Sequence, residues 1–447
     1  MIFPKVDIPA IILIYFGRRA KGDYQGAPIM KHDSGKTIVC VVGLGYVGLS
    51  LAKAFSKSQK VIGFDIDSEI VSRLSRDNKD KSLLLTDNPR EIRKADFIII
   101  AVPTPVTKSK EPDLSHVTSA SRIVSQNMKK GSTVIVESTV YPGVTEEVVK
   151  PVLEKSGLSC GTDFNLGYSP ERINPGDKEH TIDKVTKVVA GMDGETTELI
   201  AELYRRVTPH IFKAKDIKTA EAAKIIENVQ RDLNIALVNE LSVIFAKMGL
   251  STKDILEAAA TKWNFHRYSP GLVGGYCIPV DPYYLVYKAK ELGYHPVVIL
   301  AGRSVNDHMS KHVTEIAVRA LNDVGKVIKG SKILIIGLTY KENVADARQT
   351  PVKEVIRELK EYGAEIWGYD PLLNNIDQEF GIKGIRNIEQ AKKGVDCIIL
   401  TVAHDAFKQL TLYQLKRITN NNPILIDVRG FFNQEQATGH GFHYRCL

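Results

Sequence analysis

The stretch 37–48 reads TIVCVVGLGYVG and decides how the chain folds. Its first six residues are apolar and mostly β-branched, which predicts a strand. Three glycines follow at the spacing GxGxxG, and a helical pattern runs over residues 49–57. A second apolar run, Lys60–Phe64, ends on Asp65. Strand, glycine turn, helix, strand and acid occur here in the order that a dinucleotide-binding domain requires.

Each residue of this fingerprint has a predicted task. Gly43 makes the tight turn, Gly45 lets a pyrophosphate approach the backbone, and Gly48 allows close packing of helix on strand. Asp65 lies 22 residues after Gly43 and is expected to bond the ribose hydroxyls, which favours NAD over NADP. The predicted NAD-binding residues of this stretch are Gly43, Gly45, Tyr46, Val47, Gly48 and Asp65.

Two threonines follow later apolar runs of the same half of the chain. Thr104 comes after the predicted strand Asp96–Val102, and Thr139 comes after the predicted strand Ser132–Val136. Polar residues at the carboxyl ends of parallel strands mark the ligand-facing edge of a sheet. Both threonines are therefore candidates for cofactor contacts, although threonines that merely cap a strand would give the same pattern.

The stretch Pro270–Leu285 holds a candidate nucleophile. Cys277 comes just after Gly274 and Gly275, and Asp281 follows it four residues later. The neighbouring prolines are incompatible with a helix interior, so the thiol is expected on a loop. A thiol beside bare backbone suits covalent catalysis, and a buried cysteine in a Gly/Pro-rich turn is the alternative.

A helical pattern of about 30 residues begins at Ile217. Its apolar positions at helical spacing are Ala220, Ala223, Ile226, Ala236, Leu237 and Leu241. Lys224 and Asn228 are four residues apart and therefore share a face, where they could bind an oxyanion. Glu171 follows the predicted strand Phe164–Tyr168 and could be a general acid/base. A solvated lysine and an ordinary loop glutamate are the alternatives. The helix is expected to join two α/β halves, and its apolar face to serve a dimer.

A second strand–turn–helix series opens with residues 331–338. Its later predicted strands are Glu365–Tyr369, Asp396–Thr401 and Ile424–Val428. The turn Gly337–Lys341 lacks the second and third glycines of the fingerprint, so a mononucleotide is favoured over a second dinucleotide. Lys341, Asp346 and Arg348 could contact a diphosphate and its sugar.

Composition limits the function classes. The chain has 447 residues, 43% hydrophobic and 25% charged, which is typical of a globular protein of several domains. The net charge of +8 is spread along the chain, so nucleic-acid binding is not indicated. Five separated cysteines without a CxxC pair argue against a disulfide framework and a metal site, and fit the cytoplasm. The apolar run Ile8–Phe16 is too short for membrane insertion, and residues 1–35 are expected to be a disordered extension.

These motifs together resemble the UDP-glucose/GDP-mannose dehydrogenase family, over residues 37–447. The motifs that carry the resemblance are Gly43–Gly48, Val102–Pro105, Pro112–Ser115, Glu137–Gly143, Ser169–Arg172, Ala220–Lys224 with Asn228, the Cys277 loop, and Gly337–Lys341 with Asp346 and Arg348. The resulting expectation is an α/β protein with two Rossmann-like doubly wound domains joined by a long central helix and a helical dimerisation domain. The expected boundaries are 36–216 for the NAD-binding domain, 217–327 for the central helical domain with the cysteine loop, and 328–447 for the domain that binds the UDP-sugar.

The resemblance implies a four-electron oxidation of a nucleotide sugar's C6 alcohol to a carboxylate, with two NAD+ reduced. Cys277 would attack the intermediate aldehyde and form a thiohemiacetal and then a thioester, which water hydrolyses. Lys224 and Asn228 would stabilise the oxyanion, Glu171 would be the general acid/base, and Asp281 would assist through ordered water or Lys224. The residues that would bind the substrate are Arg172, Gly274, Gly275, Lys341 and Arg348.

The segments Thr261–Phe265 and Pro270–Gly275 resemble the branch of this family that acts on UDP-N-acetylhexosamines. The resemblance favours UDP-N-acetylglucosamine, with the manno and galacto epimers next, in a cytoplasmic homodimer that serves polysaccharide synthesis. Oxidation of UDP-glucose or GDP-mannose, and a non-catalytic homologue that only binds nucleotide sugar, are the alternatives. Tyr276 stands where many relatives have a histidine, which changes a neighbour of the thiol.

Overall fold

The computed structural model describes residues 37–172, 177, 179–391 and 394–447. The expected extension, residues 1–35, lies outside the described residues. The predicted α/β architecture with two predominantly parallel sheets is confirmed. None of the described helices is both long enough and apolar enough to cross a membrane.

The first sheet has eight strands within the described residues, in the order β3-β2-β1-β4-β5-β6-β7-β8. Only the pair β6 and β7 is antiparallel. In register, Val42 lies opposite both Phe64 and Ile100, so the three loops that follow these strands meet at one edge. The strands are β1 Ile38–Val42, β2 Lys60–Phe64, β3 Leu83–Thr86, β4 Phe97–Ile100, β5 Thr133–Val136, β6 Asn165–Tyr168, β7 Lys187–Gly191 and β8 Ile211–Lys213.

The second sheet has six strands in the described part of the chain, all parallel, in the order β11-β10-β9-β12-β13-β14. This order repeats that of the first six strands of the first sheet, and it is the order of a doubly wound dinucleotide-binding fold. Its strands are β9 Lys332–Ile336, β10 Glu365–Tyr369, β11 Lys383–Ile385, β12 Val395–Leu400, β13 Thr419–Asp427 and β14 His443–Cys446.

Both faces of each sheet are covered. Val39 and Val41 of β1 enter one apolar cluster, and Cys40 and Val42 enter another on the opposite face. This is why the strand reads as a continuous apolar run rather than an alternating one. The α-helices are α1 Tyr46–Ser56, α2 Ser68–Asp77, α3 Ser115–Asn127, α4 Lys150–Glu154, α5 Gly194–Tyr204, α6 Ile217–Met248, α7 Thr252–Ala259, α8 Asp281–Glu291, α9 Val297–Asp323, α10 Val352–Glu361, α11 Ile376–Phe380, α12 Leu412–Ile418 and α13 Gln434–Gly439.

The helix α6 has 32 residues and packs against α8 and α9. The buried Arg303 of α9 donates to Asp232 of α6 at 2.5 Å, and the amide of Asn306 donates to the same carboxylate oxygen at 2.8 Å. A buried charge is tolerated where it is paired and hydrogen-bonded, as it is here. This polar contact fixes how α6 crosses α9.

The face of α6 that is buried differs from the apolar face predicted from hydropathy. Ala220 and Ala236 are buried as expected, but Ile226 and Leu237 are each 55% exposed. Glu221 and Asp232 are buried instead. Their burial is possible because each carboxylate has partners, Asp232 on α9 and Glu221 on the backbone after β5.

Candidate functional site

The glycine turn after β1 has the geometry of a phosphate-binding loop. Gly43 has φ of +98°, and a Cβ atom there would lie 2.6 Å from the carbonyl oxygen of Ala101. A Cβ atom on Gly48 would lie 1.9 Å from the carbonyl oxygen of Gly43. A Cβ atom on Gly45, in contrast, would meet nothing within 4 Å. The first and third glycines are therefore required by packing, and the second faces open space that a pyrophosphate fits.

The first turn of α1 borders this space. Its N-terminal N–H groups have no side-chain cap, since Gly45 is the capping residue, and this leaves donors for an anion. Tyr46 is exposed and Val47 is half-buried. Asp65 follows β2, and its two carboxylate oxygens accept from the backbone N–H of Leu44 at 2.7 Å and of Asp67 at 3.0 Å. Each oxygen keeps a further lone pair for a ribose hydroxyl. The residues present fit NAD.

Gly45→Ala is expected to raise the Kd for NAD+ by about tenfold or more, because its methyl group fills the space that the pyrophosphate needs. The backbone angles of Gly45, φ −66° and ψ −170°, are open to alanine, so the variant should fold. Calorimetric titration with NAD+ measures the effect, and titration with UDP, which should be unchanged, is the control. Gly48→Ala should instead lower the melting temperature. An unaltered Kd for NAD+ in Gly45→Ala would contradict this assignment.

The two threonines lie at the predicted edge of the first sheet. Thr104 and Thr139 are both half-buried, just beyond β4 and β5. Beside Thr104, the hydroxyl of Tyr284 on α8 donates to the carbonyl oxygen of Pro105 at 3.3 Å. This contact connects the loop after β4 to the helix that follows the cysteine.

Lys224 and Asn228 do share a face of α6, and both are buried against the start of α8. The side-chain amide of Asn228 donates to Asp281, the first residue of α8, at 2.6 Å. Burial raises the pKa of Asp281 to about 6, and the charge of Lys224 and the Asn228 hydrogen bond hold it from rising further. At neutral pH the Asp281 carboxylate is thus mostly ionised and balances Lys224.

Cys277 lies in the turn that leads into α8, and its carbonyl oxygen accepts from the N–H groups of Val280 at 3.1 Å and Asp281 at 2.8 Å. Its side chain is open to solvent. Surrounding protein nevertheless raises the pKa of the thiol, and the charges of Asp281 and Glu171 add to this effect while that of Lys224 opposes it. This accessible thiol, with the charged groups of Asp281, Glu171 and Lys224 that act on it, defines the candidate catalytic cleft. Since Asn228 bonds to Asp281, the cleft groups Cys277 with the other four predicted catalytic residues, Lys224, Asn228, Glu171 and Asp281.

Glu171 is buried just after β6. The backbone beside it is supported by a buried ion pair between Lys187 and Glu137, which sequence reasoning missed. Lys187 of β7 pairs with Glu137 at the end of β5, and its ammonium also donates to the carbonyl oxygen of Pro170 at 2.9 Å. The hydroxyl of Tyr204 donates to Glu137 at 2.5 Å. These partners are up to 67 residues apart along the chain, so no local spacing signals them.

Three predicted substrate-binding residues are engaged by protein groups. Arg172 pairs with Glu227 of α6 at 2.7 Å and donates to the carbonyl oxygen of Thr186. A Cβ atom on Gly274 would lie 2.5 Å from Pro351, and one on Gly275 would lie 2.8 Å from the ring of Tyr340. The glycine pair before the cysteine thus allows this loop to approach residues 340–351 closely.

Lys341 and Arg348 differ in their relation to the cleft. Lys341 is half-buried, which lowers the pKa of its ammonium, and its charge and that of Cys277 interact. Arg348 instead makes two hydrogen bonds to Asp346, at 3.1 and 2.7 Å, and its guanidinium lies over the ring of Tyr276. The charges of Lys341 and Cys277 therefore interact, whereas Arg348 bonds to Asp346 and lies beside the cysteine loop through its contact with Tyr276.

Sequence reasoning also missed residues around the cleft. Arg231 of α6 is close enough for its charge to lower the pKa of the Cys277 thiol. Arg429, after β13, donates to the carbonyl oxygen of Pro270 at 3.2 Å and pairs with Glu342. For Arg231 the spacing gave a signal, because it lies seven residues after Lys224 and hence on the same face.

Glu221 joins α6 to the loop after β5. Its carboxylate accepts from the N–H groups of Gly143 at 2.6 Å and Thr145 at 2.9 Å, and burial raises its pKa to about 7. Successive turns of α6 thus carry Glu221, which bonds to the loop after β5, and then Lys224 and Asn228 of the cleft. Among the described residues no group of three or more His, Cys, Asp or Glu side chains is placed to hold a metal ion.

A glycine loop of the dinucleotide-binding type on one sheet and a second sheet of the same strand order define a class, the dehydrogenases with two doubly wound domains. Domains of the UDP-glucose/GDP-mannose dehydrogenase family match the chain in order: the NAD binding domain at residues 37–208, the central domain at 218–308 and the UDP binding domain at 334–434. The chain belongs to this family.

Individual relatives agree with this assignment. Protein CapL of Staphylococcus aureus is 46% identical over 89% of this chain and 97% of its own length. The UDP-N-acetyl-D-glucosamine 6-dehydrogenase of Pseudomonas aeruginosa is 45% identical over 89% of this chain and 98% of its own. The solved structure of a UDP-D-ManNAc dehydrogenase from Pyrococcus horikoshii superposes with a TM-score of 0.84 at 28% identity, covering 92% of this chain and 99% of that one.

Proposed function

We propose that this protein oxidises the C6 alcohol of a UDP-N-acetylhexosamine to a carboxylate, with UDP-N-acetylglucosamine or UDP-N-acetylmannosamine as substrate. The observation that carries the proposal is the accessible Cys277 in a cleft with the buried Lys224, Asn228 and Asp281. The names of the relatives from Pseudomonas and Pyrococcus, both acting on UDP-N-acetylhexosamines, support this choice of substrate. A role in cytoplasmic polysaccharide synthesis belongs to the same proposal.

In the proposed function each of the two sheets belongs to a domain that binds a different nucleotide. In this proposal, residues 36–216 bind NAD, residues 217–327 supply the central helices and the cysteine, and residues 328–447 bind the UDP moiety. The positions of the matching family domains support this division. Gly43, Gly45 and Gly48 would hold the pyrophosphate of NAD, with Asp65 at its ribose, and Lys341 would contact the diphosphate of the sugar nucleotide.

When bound, NAD+ would supply the hydride acceptor for both oxidation steps, that of the alcohol and that of the thiohemiacetal. Side chains of this protein supply the nucleophile, the base and the groups that stabilise charge. The Cys277 sulfur bonds to the aldehyde carbon and gives up its thiol proton, with Glu171 as the base. Negative charge then develops on the former carbonyl oxygen. Lys224 stabilises that charge together with the second N–H of the Asn228 amide, since its first N–H is bonded to Asp281.

After the second hydride has left, the substrate is a thioester on Cys277. Glu171, having released the thiol proton to solvent, takes a proton from the attacking water. The carbon–sulfur bond then breaks, and Glu171 returns this proton to the sulfur. Each turnover consumes one sugar nucleotide, one water and two NAD+, and gives one carboxylate, two NADH and three protons. Asp281 keeps Lys224 and Asn228 in position throughout and assists proton movement through ordered water or Lys224.

Counting NADH formed per sugar consumed tests the function. Purified protein is incubated with NAD+ and, separately, the UDP-linked N-acetylglucosamine, N-acetylmannosamine, N-acetylgalactosamine and glucose, and GDP-mannose. Two NADH per UDP-N-acetylhexosamine are expected. Two NADH with UDP-glucose or GDP-mannose alone would overturn the choice of substrate but keep the chemistry. No NADH from any sugar, despite measurable binding, would favour the non-catalytic homologue.

We also propose that a second copy of the chain covers one face of α6. The side chains of Ile226, Leu237, Ile244 and Met248 are 55%, 55%, 44% and 63% exposed, respectively. Their spacings of 11, 7 and 4 residues place them on one stripe of the helix. A dimer is therefore expected in analytical ultracentrifugation, and Leu237→Lys should shift it towards monomer. Lys218→Ala, on the same helix but about two turns before this stripe, is the control, and a monomeric wild type would contradict this interface.

A further inference from the structure

His404 and Asp370 are buried beside the loop that follows β9. This loop occupies the place in the second sheet that the glycine loop after β1 occupies in the first. His404 follows β12 and Asp370 follows β10, and both side chains are fully buried. Above them a small cavity is lined in part by Thr339, Tyr340 and Lys341. Neither His404 nor Asp370 takes part in the chemistry proposed above.

The hydrogen bonds of His404 define its tautomer. Its Nδ1 lies 2.9 Å from the backbone nitrogen of Asn343, which can only donate, so Nδ1 is the acceptor and carries no proton. The ring proton is therefore on Nε2. This nitrogen lies 3.1 Å from Oδ2 of Asp370 and 3.2 Å from Oγ1 of Thr339, both of which can accept.

These bonds continue into the loop that bears Lys341. The hydroxyl of Thr339 donates to the carbonyl oxygen of Lys341 at 3.0 Å. Asp370 also accepts from the N–H groups of Leu338 at 2.7 Å and Thr339 at 3.3 Å. His404 and Asp370 thus bond to the loop at residues 338, 339 and 343, on both sides of Lys341.

Asn343 makes the far end of this loop dependent on His404. It is one of few described residues other than glycine with positive φ, +60°, a strained conformation that surrounding contacts must maintain. Its side-chain amide and Asp405 exchange two hydrogen bonds, at 2.8 and 2.9 Å. The bond to His404 Nδ1 and the bonds to Asp405 therefore hold the residue that follows Lys341 and Glu342.

Asp65, the acid at the equivalent strand end of the first sheet, differs from Asp370 in its burial and its hydrogen-bond partners. Asp65 is half-buried and accepts one backbone bond on each oxygen, which leaves it open to a ligand. Asp370, at the equivalent strand end, is buried and accepts from His404 and the loop. In the second sheet the oxygens of this acid bond to the loop, to His404 and to the backbone of Leu372.

We propose that His404 is a positioning residue that holds the 338–343 loop, and with it Lys341, in the conformation that binds a nucleoside diphosphate. The inference rests on the proposed function, in which this loop binds the UDP moiety. His404 acts through the backbone of the loop and does not touch the ligand. Loss of its Nδ1 acceptor would therefore weaken the nucleotide without affecting the NAD site.

The test compares His404→Ala with His404→Asn. The carbonyl oxygen of an asparagine can take the place of Nδ1 and accept from Asn343, whereas alanine cannot. Calorimetric titration of the full chain should show the Kd for UDP raised about tenfold in His404→Ala, with most of this loss restored in His404→Asn. The Kd for NAD+ should be unchanged in both variants.

A second variant avoids the buried ring in case His404→Ala does not fold. Asn343 is exposed, and Asn343→Ala removes the bonds to Asp405 and disfavours the positive φ. The same selective increase in the Kd for UDP is therefore expected. An unchanged Kd for UDP in either folded variant, or equal weakening of UDP and NAD+, would overturn this inference alone. A wild type that binds NAD+ but no UDP would overturn the proposed function as well.

Discussion

Replacing Cys277 with alanine is expected to lower the rate of complete oxidation by on the order of 10⁴-fold or more, because no other described group of the cleft can form the thioester. Cys277 is the exposed one among the described cysteines, since Cys40 and Cys397 are buried and Cys160 and Cys446 are half-buried. The measurement is NADH per UDP-N-acetylhexosamine, with a hydrazide present to trap aldehyde. The variant should release at most one NADH per sugar, together with trapped aldehyde.

The matched control for this experiment is Cys160→Ala. Cys160 lies between α4 and β6, where its sulfur contacts that of Met192 at 3.6 Å. Its removal should leave turnover within about twofold of wild type, as for a surface substitution. If Cys277→Ala still yields two NADH per sugar at an undiminished rate, the thiol is not the nucleophile and water must attack the aldehyde directly.

Lys224→Ala is expected to lower kcat by about 10³-fold, the loss typical of removing one oxyanion donor from a preorganised site. The variant should also change the pH profile. The cation at Lys224 opposes the effect of burial on Asp281, whose pKa is about 6. Without it the pKa of Asp281 rises, so the residual activity should fall at a higher pH than wild-type activity does on acidification.

Lys218→Ala is the control on the same helix. Lys218 is exposed and pairs with Glu147 at 2.8 Å, a surface ion pair of the kind that contributes about 1 kcal/mol or less. Its kcat and pH profile should match those of wild type. Retention of activity in Lys224→Ala, with a normal melting temperature, would show that the oxyanion is stabilised by other donors.

Local patterns were sufficient for much of the fold. The glycine spacing of Gly43, Gly45 and Gly48 depends only on a strand, a turn and a helix that are consecutive in the chain, and the open space at Gly45 agrees with it. The four-residue spacing of Lys224 and Asn228 likewise needs only a helix. For the same reason, the nine strands that were predicted agree with the structure to within a few residues, except that β13 begins at Thr419, well before the predicted Ile424. The strands β3, β7, β8, β11 and β14 were not predicted.

Contacts between distant segments could not be predicted in this way. The bond from Asn228 to Asp281 spans 53 residues and depends on how α6 and α8 pack. Hydropathy gave the wrong environment for Glu221, since a carboxylate can be buried when two backbone N–H groups bond to it, and these lie 76 and 78 residues away. The use of Gly274 and Gly275 as close-packing residues also required the second sheet to be in place.

The tight fit of Gly274 and Gly275 against Tyr340 and Pro351 has a consequence for recombination between relatives. Since even one added Cβ atom has no room there, the cysteine loop and residues 340–351 form a matched pair of surfaces. A hybrid enzyme with its junction inside α9 would take these two surfaces from different parents. To exchange sugar-nucleotide preference, residues 270–277 should therefore be transferred together with everything from β9 onward.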